Sequence, residues 1–304
     1  MTDLSHLNNV VDDVDSVTDV VTAAMNGTED SRLKYIVETL VKHAHAFLKE
    51  VRLTDQEFEQ GLEFVKAIGH ATRDDHNEVV LCADVLGFST LVTLLNNSDS
   101  SGRTPGALLG PFYRGDSPCY ANDASIACAG SPGTPLFVRA RVLDREGRPV
   151  ENALVDVWQA SPIGLYENQD PEQPDMNLRG RFRTEADGYF RFRSVRPAGY
   201  PVPTHGPVGR LLEKQRRHPY RPAHLHFVII AEGFQTLVSQ VFADDSEYLG
   251  SDVVFGVNRS LVGKFALHED GRAPDPDHSG PYYTLEYDFI LAPGTPTYPT
   301  PPIK

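Results

Sequence analysis

The chain has 304 residues, enough for one large or two modest domains with real cores, and its 40% hydrophobic and 23% charged residues are ordinary for a soluble protein. A formal charge of −14 argues against a nucleic-acid partner, whose phosphates are met by surplus Lys and Arg. No apolar run reaches the roughly 18 residues of a membrane span, and the start MTDLSHLNNVVDDVDSVTDVV is acidic where a leader would be basic and then apolar. Membrane insertion is therefore not expected, and the cytoplasm is the default location.

From residue 31 to about 97 the pattern is helical. Leu33, Ile36, Val37, Leu40, Val41, Ala44 and Phe47 follow the i, i+3, i+4, i+7 spacing of a one-sided apolar stripe. Thr54 to Glu57 has the form of a capping box, with Phe58, Leu62 and Val65 continuing a second stripe behind it. NEVVLCADVLGFSTLVTLLNN predicts one further helix, whose wider apolar coverage implies deeper burial. Cys82, Cys119 and Cys128 form an odd set without a C-x-x-C, so they read as buried or half-buried thiols and not as a disulfide framework or zinc knuckle.

After NNSDSSGRTPG the period changes to two. In PLFVRARVLD, Leu136, Val138, Ala140 and Val142 share one face, with Arg139 and Arg141 opposite. Turn signals recur at Asp144 to Gly147, Asp187-Gly188 and Glu232-Gly233, and GRFRTEADGYFRFRSV reads as a hairpin bent at Asp187-Gly188. Short strands with tight turns predict an antiparallel sandwich or barrel, so the class is α+β: a helical N-terminal part followed by an all-β domain. The proline-rich tail LAPGTPTYPTPPIK predicts an extended arm, and residues 209–224 gather Lys214, Arg216, Arg217, His218 and Arg221 into what is most simply a solvated basic loop.

The residues with chemical potential begin with His224 and His226 in RPAHLHFVII. In a strand, residues i and i+2 point to one face about 6 to 7 Å apart, so one ion could take a nitrogen from each. Ordinary packing explains most such pairs, and the neighbouring acids Glu232, Asp244, Asp245 and Glu247 offer no clear inward-facing third ligand. Tyr166 leaves a strand through a Pro-Ile-Gly turn, and Tyr200 lies between glycine and proline. A lone loop tyrosine is usually packing, but a phenolate suits a trivalent Lewis acid far better than zinc, which singles out ferric iron. A zinc hydrolase and a non-catalytic β-sandwich binding module are the rival readings.

The ordered set Tyr166, Tyr200, Arg221, His224 and His226, in the words DVWQAS-x-x-G-x-Y, PVP-x-HGPVG and RPAHLHF, resembles the intradiol ring-cleavage dioxygenases, non-haem ferric enzymes that open catechols between their two hydroxyls. LGPFYRGDSP (109–118) and DVLGFSTLV (84–92) extend the likeness over most of the chain. The resemblance implies a helical dimerisation domain over 1–105 and a β-sandwich catalytic domain over 106–304. It implies one Fe(III) per subunit, held by Tyr166, Tyr200, His224 and His226, with catechol-type substrate and O2 as small-molecule partners. Substrate is expected to chelate the iron in place of Tyr200 while Tyr166 stays bound. Catalytic roles fall to Tyr200, to Arg221 as a fixed cation facing charge on the ring, and to Gln240 as a polar neighbour of the iron. The substrate pocket falls to Leu81, Asp84, Leu108, Leu109, Gly110, Pro111, Phe112, Val202, Pro203, Arg221 and Val254. A homodimer built through the N-terminal helices is expected, with a lipid possible at its interface.

For substrate, HGPVG, RHPYRPAH and SDVVFGV look more like the hydroxyquinol and chlorocatechol branches than the plain catechol branch. Asp84 resembles an acidic pocket residue of the hydroxyquinol branch and could accept a hydrogen bond from a third ring hydroxyl, a contact that discriminates against substrates lacking it. Hydroxyquinol cleaved to maleylacetate is the expectation, with chlorocatechol or catechol cleaved to a cis,cis-muconate as the alternative.

Overall fold

Asp30 starts the first long helix by accepting hydrogen bonds from the backbone of Arg32 and Leu33, which satisfies donors that a helix leaves unpaired. The computed structural model describes residues 9–97, 102–269, 273–275 and 278–303. A short α1 (Val17–Ala23) precedes α2 (Ser31–Val51), which stops at a left-handed Arg52. α3 (Asp55–Ala71) opens on the expected capping box: Thr54 N donates to Glu57 Oε2 at 2.9 Å and Glu57 N to Thr54 Oγ1 at 3.3 Å. The chain divides between Val65 and Lys66 into two compact units. In the first, α1 packs on α2, with Thr18 Oγ1 3.0 Å from His45 Nδ1. The α2 stripe is present but uncovered: no residue of the helix is buried, and Leu33, Ile36, Leu40 and Phe47 are exposed.

The single helix expected over 77–97 is two, α4 (Glu78–Val85) and α5 (Phe88–Asn96), crossing at 76°. Gly87 makes the break by taking φ +75, a left-handed conformation that costs glycine nothing. The expected deep burial holds for α4, which buries Leu81, Asp84 and Val85, and fails for α5, whose Phe88, Leu91, Val92, Leu94 and Leu95 are exposed. Among the described residues, no single helix is long and apolar enough to cross a membrane. The linker read after Asn96 falls partly on 98–101, outside the described residues, as do the first eight residues of the acidic start.

The remainder of the second unit is built on strands. In chain order they are β1 (Pro135–Leu143), β2 (Leu154–Gln159), β3 (Arg179–Arg183), β4 (Tyr189–Val195), β5 (Tyr200–Pro201), β6 (Tyr220–Arg221), β7 (His224–Ile230), β8 (Leu237–Ala243), β9 (Val262–Gly263), β10 (Phe265–His268) and β11 (Tyr282–Ile290); α6 (Pro207–Lys214) sits between β5 and β6. One sheet runs β10-β11-β1-β4, the second β3-β2-β7-β8-β9, and β5 pairs with β6 alone. Alternation sets the faces as read: Leu136, Val138, Ala140 and Val142 are buried against Val155, Val157, Leu225, Phe227 and Ile229 of the other sheet, while Arg139 and Arg141 point out to Glu286 and Asp288.

Three expectations change here. The sheets are mixed, since β1 runs parallel to β11 and β8 parallel to β9. The expected hairpin is a corner between sheets: the turn at Gly188 (φ +78) is tight, but β3 pairs with β2 and β4 with β1. Each strand pairs inside a different sheet, β3 beside β2 and β4 beside β1, so the local turn signal was right and the pairing inference was not. Cys119 is exposed, where a buried or half-buried thiol was expected; the three cysteines are free.

Candidate active site

β7 is flanked by β2 and β8, and the register aligns Trp158, His226 and Gln240 in one row across the three strands. Cross-strand partners share a face, so the three side chains meet. The Trp158 ring stacks on His226 (centroids 4.6 Å, 11° between planes), and Gln240 Nε2 lies 3.2 Å from His226 Nδ1 while donating to the Leu108 carbonyl at 2.7 Å. His224, two residues back, shares that face and sets its Nδ1 2.6 Å from the Pro222 carbonyl. That contact fixes the proton on Nδ1 and leaves Nε2 as the lone-pair donor.

Tyr166 reaches the same place from the end of β2. The chain turns at Gly164 (φ +82), where a Cβ would lie 3.0 Å from that of Tyr200, so glycine permits the two tyrosine segments to approach. Behind Tyr166, the buried Glu167 accepts from Arg179 Nε (2.7 Å) and Arg114 Nη1 (2.9 Å), tying this segment to β3 and to the loop after Phe112. Tyr200 is held by the β5–β6 pairing, directly opposite Arg221.

Four donor atoms converge. Tyr166 Oη is 3.2 Å from Tyr200 Oη and 3.0 Å from His226 Nε2, and the two Nε2 atoms of His224 and His226 are 3.0 Å apart. All four residues are buried. Ligands bound at about 2 Å around one ion sit about 3 Å from one another, so the cluster has the spacing of a coordination shell. Its chemistry fits too: burial holds His224 down to about 3, with the Arg221 cation adding to the effect, and burial pushes His226 well below its ordinary range, so both imidazoles are neutral donors. Burial raises Tyr166 and Tyr200, which makes their phenolates strong bases that favour a highly charged cation. Among the described residues, no group of three or more His, Cys, Asp or Glu could hold a metal; the tyrosines are what complete this set.

Arg221 is buried beside the donors. Its Nη1 is 3.1 Å from His224 Nε2, its Nη2 donates to Gln240 Oε1 at 2.9 Å, and its Nε and Nη2 both reach the Asp252 carboxylate at 3.1 and 3.2 Å. Phe112 stacks on Tyr166 (4.6 Å), Leu109 packs on the same aromatic cluster, and Pro111 between them is half-buried. Gly110 takes φ +76, and a Cβ there would lie 3.3 Å from His226 Cε1. Asp84 is buried within electrostatic reach of Arg221 and Asp252. The Val254 carbonyl accepts from Thr90 Oγ1 of α5 at 3.0 Å. Leu81 and Val202 are buried and Pro203 half-buried, with no polar link to the donors among the described residues.

The sequence reading missed Asp252, the stacking of Trp158 on His226 and the Glu167 ion cluster. Asp252 stood in the quoted word SDVVFGV, but the carboxylates weighed as partners were those nearest β7 in sequence.

Comparison with known proteins identifies the family and its fold. A family described as Dioxygenase matches residues 108–293, and one described as Catechol dioxygenase N terminus matches 30–104. The chain is 41% identical over 277 residues to the hydroxyquinol 1,2-dioxygenase of Rhizobium sp. (strain MTP-10005), covering 90% of this chain and 94% of that one. It is also 41% identical over 281 residues to the 6-chlorohydroxyquinol 1,2-dioxygenase of Cupriavidus pinatubonensis, covering 92% and 98%. A crystal structure of hydroxyquinol 1,2-dioxygenase from Pseudomonas putida DLL-E4 superposes with a TM-score of 0.85 at 39% identity, over 92% of this chain and 99% of that one. The helical segment and the mixed-sheet sandwich are thus those of an α+β dioxygenase. The chain belongs to the intradiol ring-cleavage dioxygenase family and is an enzyme of that class.

Proposed function

We propose that this enzyme cleaves hydroxyquinol (benzene-1,2,4-triol) with O2 to maleylacetate, using one Fe(III) per subunit held by Tyr166, Tyr200, His224 and His226. The observation that carries the reading is the convergence of two phenols and two imidazoles in a buried site, each donor atom within 3.2 Å of at least one other. Ferric iron held by these residues would supply Lewis acidity that makes an aromatic diolate reactive toward O2. The alignment of this chain with hydroxyquinol and 6-chlorohydroxyquinol dioxygenases at 41% identity supports the choice of substrate.

Each protein group has a task that follows from its surroundings. Tyr200 Oη, a phenolate made basic by burial, takes up one of the two hydroxyl protons that the substrate must lose, and the other passes to water. Arg221 stays charged under all conditions, and its guanidinium, fixed by Gln240 and Asp252, faces negative charge that develops on the ring carbon. Asp84 accepts a hydrogen bond from the third hydroxyl, the one group that separates hydroxyquinol from catechol. Trp158 and Phe112 lie against His226 and Tyr166, hold those rings in place and exclude water. Leu81, Leu108, Leu109, Gly110, Pro111, Val202, Pro203 and Val254 form the pocket wall.

The proposal extends to a homodimer formed through the uncovered apolar stripe of α2, to a lipid at that interface, and to a cytoplasmic location, which the three free thiols favour. The functional boundary is placed at 105/106, supported by family matches that end at 104 and begin at 108. Steady-state kinetics test the substrate: kcat/KM for hydroxyquinol is expected to exceed that for catechol, and the reverse order overturns the assignment. Elemental analysis of the active enzyme is expected to give one iron per chain.

A further inference from the structure

Arg221 enters the reaction only if its guanidinium is held in one place, and among the groups that hold it Asp252 is the anion. The carboxylate of Asp252 is buried, and its two oxygens meet Arg221 Nε and Nη2 in a paired, fork-like contact. The same oxygens organise the chain around them: Oδ1 accepts from Val254 N (3.4 Å) and Oδ2 from Gly256 N (2.9 Å), while the Asp252 carbonyl accepts from Phe255 N (3.0 Å). This turn forces Phe255 into φ +58, a conformation that a bulky residue adopts only when its surroundings over-determine it. Gly256 is shaped to the guanidinium, since a Cβ there would lie 2.9 Å from Arg221 Nη2 and 3.1 Å from Asp252 Oδ2.

Charge points the same way. Arg221 Nη1 stands 3.1 Å from His224 Nε2, one of the four donors, so without a countercharge a buried guanidinium would press directly on whatever cation the donors hold. A fully buried cation is also costly unless paired and hydrogen-bonded.

We propose that Asp252 is the positioning residue for Arg221: its carboxylate fixes the guanidinium in the reacting geometry, neutralises it toward the metal side, and couples it to the Val254 wall of the pocket. The inference rests on the reading of Arg221 as the cation that faces the ring.

The test is a double-variant cycle on the iron-loaded enzyme with hydroxyquinol, comparing Arg221→Gln, Asp252→Asn and the pair by kcat, KM, iron content and visible phenolate-to-iron absorption. Asp252→Asn keeps one of the two side-chain acceptors, replaces the other with a donor and loses the charge; it is expected to lower kcat about ten- to a hundredfold, to change KM by less than about threefold, and to leave iron content and the visible band in place. The pair is expected to be no slower than Arg221→Gln alone, because both changes remove one device. Gly256→Ala retains both charges and crowds the guanidinium, so it is expected to slow kcat in the same manner, which serves if Asp252→Asn fails to fold. A slow Arg221→Gln beside an unchanged Asp252→Asn, or losses that multiply in the pair, overturns the proposal alone. Loss of iron in Asp252→Asn overturns it in favour of a role in building the metal site. An unchanged Arg221→Gln overturns the reading of Arg221 and the proposal with it.

Discussion

Trp158 lies flat on His226, with ring centroids 4.6 Å apart and planes 11° from parallel, because β2 and β7 place the two residues opposite each other in register. The indole therefore fixes the orientation of an imidazole whose Nε2 is one of the four convergent donors. Trp158→Ala removes that support and leaves a cavity. It is expected to lower stability by about 3 to 5 kcal/mol and to reduce iron per chain, measured by denaturant unfolding and elemental analysis. Full iron occupancy in a folded variant would show that the other three ligands orient His226 unaided.

Asp84 should make stability depend on pH. Burial lifts its carboxyl from 3.8 to about 6, against the opposing effects of the Ser89 hydroxyl and the Arg221 cation. The folded chain thus holds this proton more tightly than the unfolded one. Its contribution is complete below about pH 4 and is lost as pH rises through about 6, a change of about 3 kcal/mol. Replacing Asp84 with Asn is expected to flatten unfolding free energy across that window, as read by urea titration at several pH values. Replacing it with Ala is expected to lower hydroxyquinol turnover more than catechol turnover; equal losses would remove the proposed contact with the third hydroxyl.

Glu78 ties α4 to the start of α6. Its side chain is fully buried, with Oε2 2.5 Å from His76 Nε2 and Oε1 accepting from Val208 N at the start of α6. α4 carries Leu81 and Asp84, while α6 follows Val202 and Pro203. Gly206 permits the approach, as a Cβ there would lie 2.3 Å from Glu78 Oε1. Both Glu78→Ala and Gly206→Ala are expected to destabilise the enzyme by about 1 to 3 kcal/mol, the first through unpaired polar groups and the second through overpacking. Thermal unfolding checks both; a neutral Gly206→Ala would mean that Glu78 moves aside without loss.

The apolar stripe of α2 predicts association. Leu40 is 64% exposed in the middle of that stripe, so Leu40→Glu would place a charge in any interface built on it. Sedimentation at micromolar concentration is expected to give a dimer for the unaltered enzyme and a shift toward monomer for the variant. A monomeric unaltered enzyme would remove the stripe from consideration as a dimer interface.

Much of the architecture was legible because local rules carried it. The capping box at Thr54, the two faces of β1 and the turns at Gly147, Gly188 and Gly233 depend on a few neighbouring residues, and all are present. The failures were non-local. The break at Gly87 looked like a tolerated glycine in a helix, and the parting of β3 from β4 into separate sheets depended on competition from β2 and β1, which a turn signal does not contain.

The same division holds in the site. Sequence by itself determined which side chains were candidates, because paired tyrosines and an H-x-H in fixed order have an unusual shared chemistry, and it put both imidazoles on one strand face through the two-residue period. Only the tertiary structure decided that Tyr166, Tyr200, His224 and His226 meet within 3.2 Å, that Gln240 and Trp158 bracket His226, and that Asp252 is the acid that grips Arg221. Those contacts join residues as far apart in the chain as Trp158 and His226, and the strand register and glycine-lined approaches that create them are settled by packing, which no short window of sequence records.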